Sequence, residues 1–393
     1  MVFKSKLTYL LLVFVLVLSA CGQNEGNSSK ENSEETSSEE STENTKESAE
    51  DESSEDADFV AAYKEGKTEL AKASEGEEVD YQSVIDLYNK DLQPLVAERD
   101  ESIDQQITAA LEAGKSGEMD GAVVKQIFDK LTQKVFYLTV KHEFDEINEN
   151  WGNTEEVNSE IEEAKEYYAV LKETVEKRDA AYETTMVDQI DAGFSEIEKA
   201  VENDDKLGFQ LGKQLVDKTL MKTFYLAAGA MPNGYATKAA EAAKEDAKEA
   251  KVEQAEGWAF YQSISSYLNE YAKEDASIIE ENFNLENDVK NLDPEAVNHA
   301  FVRGFAKIAL HEYEESEENW GEDKSTITAL EGALFIDLIA SDIKSMESEE
   351  DYTTLNELAQ SYLEAVKADE KEQAMEDLKN LEDRLNTIIE NAK

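Results

Sequence analysis

From Ala57 onward, apolar residues return at intervals of three and four, with Glu, Ala, Lys and Leu filling most positions. At 3.6 residues per turn, that spacing gathers the apolar side chains on one face of an α-helix. Prolines are confined to Pro94, Pro232 and Pro294, and β-branched runs are few, so nothing here argues for strands. The pattern predicts an all-α protein: repeated helical hairpins forming one or two up-down bundles.

Three stretches open alike, "YQSVIDLYNKDLQPLVAERD", "YYAVLKETVEKRD" and "FYQSISSYLNEYAKED", and each is followed by a helix carrying "KVFYL", "KTFYL" or "GFAKIAL". The units start near Tyr81, Tyr167 and Tyr261, so the repeat is roughly 80 to 95 residues, longer than a solenoid repeat. The expected organisation is repeat 1 at 58–160, repeat 2 at 161–256, repeat 3 at 257–345 and closing helices at 346–393. The amphipathic stretch Thr353 to Ala392 has no partner unit after it.

Caps bound the second helix of each unit. Asp293 before Pro294 reads as an N-cap with proline at the first helical position, and Gly321 marks a stop. Asp120 and Gly152 play those parts in the first unit; the middle one opens near Asp205 and is broken by Pro232 and Gly234.

Two of the three histidines stand in matching places, in "KHEFDEINENWG" and "LHEYEESEENWG". The walk Val124, Phe128, Leu131, Val135, Leu138 leads to His142 and then to Asp145, Glu146 and Glu149. In the third unit, Val297, Phe301, Gly304 and Ile308 lead to His311, Glu314 and Glu315. Both rings are therefore expected to face inward, where imidazole and carboxylate need a partner to offset desolvation. Groups three and four apart on a helix can chelate one cation. The expected ligands are His142, Glu143, Asp145, Glu146, His311, Glu312, Glu314 and Glu315, with Asp100, Asp179 and Asp275 as contributors from preceding helices.

Imidazole and carboxylate without thiolate suit iron, manganese or zinc better than copper(I) or calcium. The motifs could share one site or form two, and a polar end to the bundle or metal-free catalysis would also fit the letters. The middle unit has Ala230 and Met231 where the others have His-Glu. His299 lies off the stripe of His311, and the Trp of "NWG" reads as helix-end packing. "HEFDE" and "HEYEE" lack the second His of zinc proteases, and no Ser-His-Asp set, phosphate loop or CxxC pair is visible.

The N-terminus changes where this chemistry would take place. "MVFKSKLTYLLLVFVLVLSACG" has Lys4 and Lys6, an apolar run and then small residues, the layout of an export signal over residues 1–20. "LSAC" resembles the lipobox of bacterial lipoproteins, which implies cleavage before Cys21 and a lipid on its sulfur, anchoring the protein in the outer leaflet of the cell membrane. Residues 21–57 are Ser, Glu, Asn and Thr with little to bury, the composition of a disordered acidic tether. A formal net charge of −53 argues against nucleic acid and anionic membrane as partners, and it concentrates cations.

With "EGWAFYQSI", "HE" and "WG" in view, residues 58–345 resemble the FEA-type iron-assimilation proteins of algae and the related extracellular segments associated with bacterial iron permeases. The chain is more distantly similar to imelysin-type proteins, which are helical, exported and carry His-x-x-Glu, although Leu310 precedes His311 where those have a Gly-x-His setting. The resemblance implies iron capture outside the cytoplasm and delivery to a membrane iron permease. An acidic coat protein and a ferrous-iron oxidase are the alternatives.

Overall fold

The computed structural model describes the backbone of residues 48–393 and side chains from Phe59 onward; the leader, Cys21 and most of the tether lie outside the described residues. The helices are α1 (Ser48–Glu75), α2 (Tyr81–Leu87), α3 (Gln93–Arg99), α4 (Glu101–Ser116), α5 (Gly121–Glu149), α6 (Thr154–Tyr182), α7 (Met186–Glu202), α8 (Lys206–Ala228) and α9 (Tyr235–Ala242). They continue with α10 (Ala247–Gln262), α11 (Ser265–Tyr271), α12 (Lys273–Phe283), α13 (Pro294–Glu318), α14 (Asp323–Leu338), α15 (Ala340–Met346), α16 (Glu349–Lys367) and α17 (Lys371–Asn391). A π-helical turn, Tyr88–Leu92, joins α2 to α3. No strand occurs among the described residues, so the all-α reading holds. Helix α1 opens ten residues before the expected start of repeat 1.

The caps work as the sequence implied. Asp120 accepts from the Ala122 amide, Asp205 from Gly208, and Asp293 from Glu295 and Ala296, supplying acceptors for amides that a helix start leaves unpaired. Helices α5 and α13 end at Asn150 and Asn319, and two residues later the chain turns through left-handed glycines, Gly152 at φ +100° and Gly321 at φ +85°.

Packing reveals the architecture. Helix α5 lies against α6 and α10, α8 against α7, α10 and α14, and α13 against α12, α14 and α17. Within a unit, α7 pairs with α8, α12 with α13 and α16 with α17. The C-terminal segment is thus more than a closing element: α14 to α17 form a fourth unit of the same kind. Two tryptophan contacts mark the correspondence. Trp151 donates to Asp204 at 2.9 Å and Trp320 to Asp369 at 2.8 Å, each acceptor sitting in a left-handed turn ahead of the next unit's last helix. Units one and two therefore match units three and four.

Helices α5 and α8 run through the middle and are buried on most of their circumference, including polar positions such as Asp129, Lys130, Asp217 and Lys218. Between Gln126 and Phe144, partial exposure on α5 is limited to a strip of Lys134, Leu138, Lys141 and His142. The inward side continues instead through Phe136, Tyr137, Val140, Phe144 and Ile147.

Candidate metal centre

That strip corrects the orientation expected for the histidines. Leu138 is already only partly buried, so a step of four from it reaches the rim, and the His142 side chain is 40% exposed. His311 is 37% exposed and lies under the ring of Tyr271, centroids 4.6 Å apart. The residue after each histidine, rotated by a further 100°, is the one that turns inward. Glu143 and Glu312 keep 5% and 7% of their surface.

At the first corner, Glu143 of α5 meets Glu160 and Glu163 of α6. One carboxylate oxygen from each lies within 4.8 Å of the others. Burial, a hydrogen bond shared with Glu160 and the charges of Glu160 and Glu163 push the Glu143 carboxyl up to about 10, with Arg99 pulling the other way. The crowding favours a proton held between Glu143 and Glu160 at neutral pH. At the second corner, Glu312 of α13 meets Glu331 of α14. Burial, the Glu331 charge and a hydrogen bond to Glu331 raise Glu312 to about 8, while Lys218 opposes the rise.

The other expected ligands disperse. His142 Nε2 stands 3.8 Å from Glu146, and His311 Nε2 stands 4.0 Å from Glu315. Asp145 is exposed and tied to Lys213 at 2.6 Å, Glu314 is exposed, and Glu315 also meets Lys324 at 3.1 Å. Asp100 caps α4 and meets Lys134 at 3.1 Å; Asp179 accepts from the Met186 and Val187 amides; Asp275 is clamped by Arg303 and Lys307. Those three serve as caps and ion-pair partners. His299 binds the Lys393 carbonyl oxygen.

Sequence reading passed over a second repeated constellation. Tyr137 donates to Asp217 at 2.6 Å, and Lys218 reaches Asp217 at 2.8 Å and Glu331 at 3.2 Å. One unit earlier, Tyr63 donates to Asp129 at 2.5 Å, and Lys130 reaches Asp129 at 2.9 Å and Glu256 at 3.3 Å. Burial disfavours the charged form of both aspartates, but the neighbouring lysines outweigh it and hold the carboxyls well below the usual range. A signal was present: "FDK" and "VDK" place Asp-Lys eight and seven residues before the tyrosine of "FYL" in both helices.

Compared with known proteins, the chain matches no family model, no curated protein and no solved structure.

Proposed function

We propose that this protein captures a metal cation, iron or manganese, outside the cytoplasm, and that Glu143, Glu160 and Glu163 are its ligands. The observation that carries this reading is the approach of three carboxylate oxygens to within 4.8 Å of one another, one of them on a buried side chain. Carboxylates crowded this closely at neutral pH need a proton or a cation between them. A cation entering the site takes the place of the Glu143 proton, which leaves to solvent, and water completes the coordination shell. Glutamates facing inward across adjacent helices supply part of the iron and manganese sites of bundle proteins; this triad lacks the histidines that complete those sites, and a carboxylate-only set suits manganese, magnesium and calcium and disfavours zinc.

The expected leader, the lipidation at Cys21 and the acidic charge support a role on the outer face of the cell membrane, gathering cations for a membrane iron permease. The likeness to iron-assimilation proteins supports iron as the cargo.

Calorimetric titration of wild type and Glu143→Gln with manganese(II), anaerobic iron(II), calcium and zinc tests the reading. One site is expected in wild type for iron or manganese, weakened about a hundredfold by the substitution, which removes a charged ligand. Absence of any binding, or an isotherm that Glu143→Gln leaves unchanged, would reject the site and leave an acidic coat protein.

A further inference from the structure

Acidic residues outnumber basic ones 91 to 38 in this chain, so a buried cation has carboxylates to choose from. Arg178 pairs with none of them. It lies near the end of α6 and keeps 7% of its surface, and its Nε and Nη1 have no hydrogen-bond partner among the described residues. The guanidinium stands 5.7 Å from the centre of the Tyr235 ring, and the Lys238 ammonium of α9 stands over the same ring at 4.2 Å. Among the described residues, no carboxylate lies within ion-pair distance of either cation.

The nearest acids explain why. Glu256 is already engaged by Lys130 at 3.3 Å and by a hydrogen bond shared with the Tyr235 hydroxyl. Glu253 of α10 feels the charges of both Lys238 and Arg178, yet its Oε2 is buried without a partner. Burial, followed by the Glu256 charge, pushes the Glu253 carboxyl up to about 7, so it can take up a proton and act as a donor. A guanidinium withdrawn from water is costly unless its N–H groups find acceptors, and here the chain supplies none to two of its nitrogens. Tyr235, Lys238 and Glu253 are each partly exposed, so the cluster opens to solvent.

We propose that Arg178 and Lys238 bind a small organic carboxylate at the junction of α6, α9 and α10, with Glu253 as a hydrogen-bond donor to it. The ligand's oxygens supply the acceptors that the guanidinium lacks, and planar guanidinium suits a carboxylate. Tyr235, stacked on Phe260 at 5.8 Å, gives the site an aromatic wall. A singly charged carboxylate fits better than phosphate, because Glu249, Glu253 and Glu256 would repel a dianion. The site shares no residue with the cation-capture reading and does not rest on it.

The chain has four arginines, so the Nε–H resonances of [15N]arginine-labelled protein resolve the site directly. The Arg178 resonance is assigned by its loss in Arg178→Lys or, if that variant does not fold, by elimination through the other three. Titration with sodium acetate, against sodium chloride at matched ionic strength, is expected to give a saturable shift of Arg178 in acetate alone. Lys238→Met, which alters a partly exposed position, is expected to raise the half-saturation concentration about tenfold by removing one charged donor. No saturable shift, an equal shift in chloride, or an unchanged midpoint in Lys238→Met overturns the proposal. Tighter binding of phosphate than of acetate overturns the choice of ligand.

Discussion

The corner at Glu143 and the corner at Glu312 begin from nearly the same letters and differ in what the neighbouring helices bring to them. Helix α6 offers glutamates at 160 and 163; helix α14 offers Glu331, with Thr328 three residues before it hydrogen-bonded to the Lys324 carbonyl. Helix α8 then delivers Lys218 to Glu331. The first corner is a carboxylate triad opposed by the Arg99 charge, with a buried acid raised to about 10, the second a carboxylate pair with a lysine and an acid raised to about 8. A duplicated motif therefore sets which side chain turns inward, and the helix packed against it sets the chemistry.

The largest effects should come from the two buried Tyr-Asp-Lys networks, one of which adjoins the second corner. Asp217→Ala would leave Lys218 and Tyr137 without their shared acceptor, and breaking a buried pair in this way costs about 3–5 kcal/mol. Asp129→Ala should cost a similar amount. Denaturant unfolding measures both, and losses under about 1 kcal/mol would show that the repeated Tyr-Asp-Lys sets contribute little.

Proton linkage comes next. Because Glu143 must lose a proton to bind a cation, the apparent affinity of the first corner should rise about tenfold per pH unit below its raised pKa. Without metal the sign reverses. Both acids have folded-state values above 4.5, so the folded state holds more protons than the unfolded chain. Their contribution to stability is greatest below about pH 4.5 and declines as pH rises, through about 8 for Glu312 and about 10 for Glu143. Titrations at pH 6, 7 and 8 read the affinity slope; a flat profile would disconnect Glu143 from binding.

Smaller and equal effects are expected at the matching tryptophans. Trp151→Phe and Trp320→Phe each remove one hydrogen bond, to Asp204 and Asp369, and each should cost about 0.5–1.5 kcal/mol. Unequal costs would weaken the correspondence between the two halves. The smallest effects belong to the histidines. His142→Ala and His311→Ala remove half-exposed rings, and each should change stability by under about 0.5 kcal/mol. Manganese affinity should shift by less than about threefold, since rim contacts contribute little.

Much of the fold could be read from the letters. The periods of three and four, the aspartate caps and the Pro294 start all correspond to helices where expected. The fourth unit was harder to see, although "EGALFIDLI" at Glu331 echoes "EGWAFYQSI" at Glu256, because it lacks the aromatic opening and the "FYL" helix. The site was legible only in part. Stepping along an apolar stripe to His142 assumes a helix with one buried face, and α5 is enclosed on most sides, so the stripe had drifted to the rim by Leu138. Glu160 and Glu163 were hidden among the acidic residues of "NTEEVNSEIEE". Only tertiary packing distinguishes the two that face Glu143.

The most direct test is anomalous scattering from a manganese-soaked crystal. A peak about 2.2 Å from carboxylate oxygens of Glu143, Glu160 and Glu163, with nothing at Glu331, is the predicted result, a distance between those typical of magnesium and calcium. A peak bridging His142 and Glu146, or one at the Glu312 corner, would contradict it.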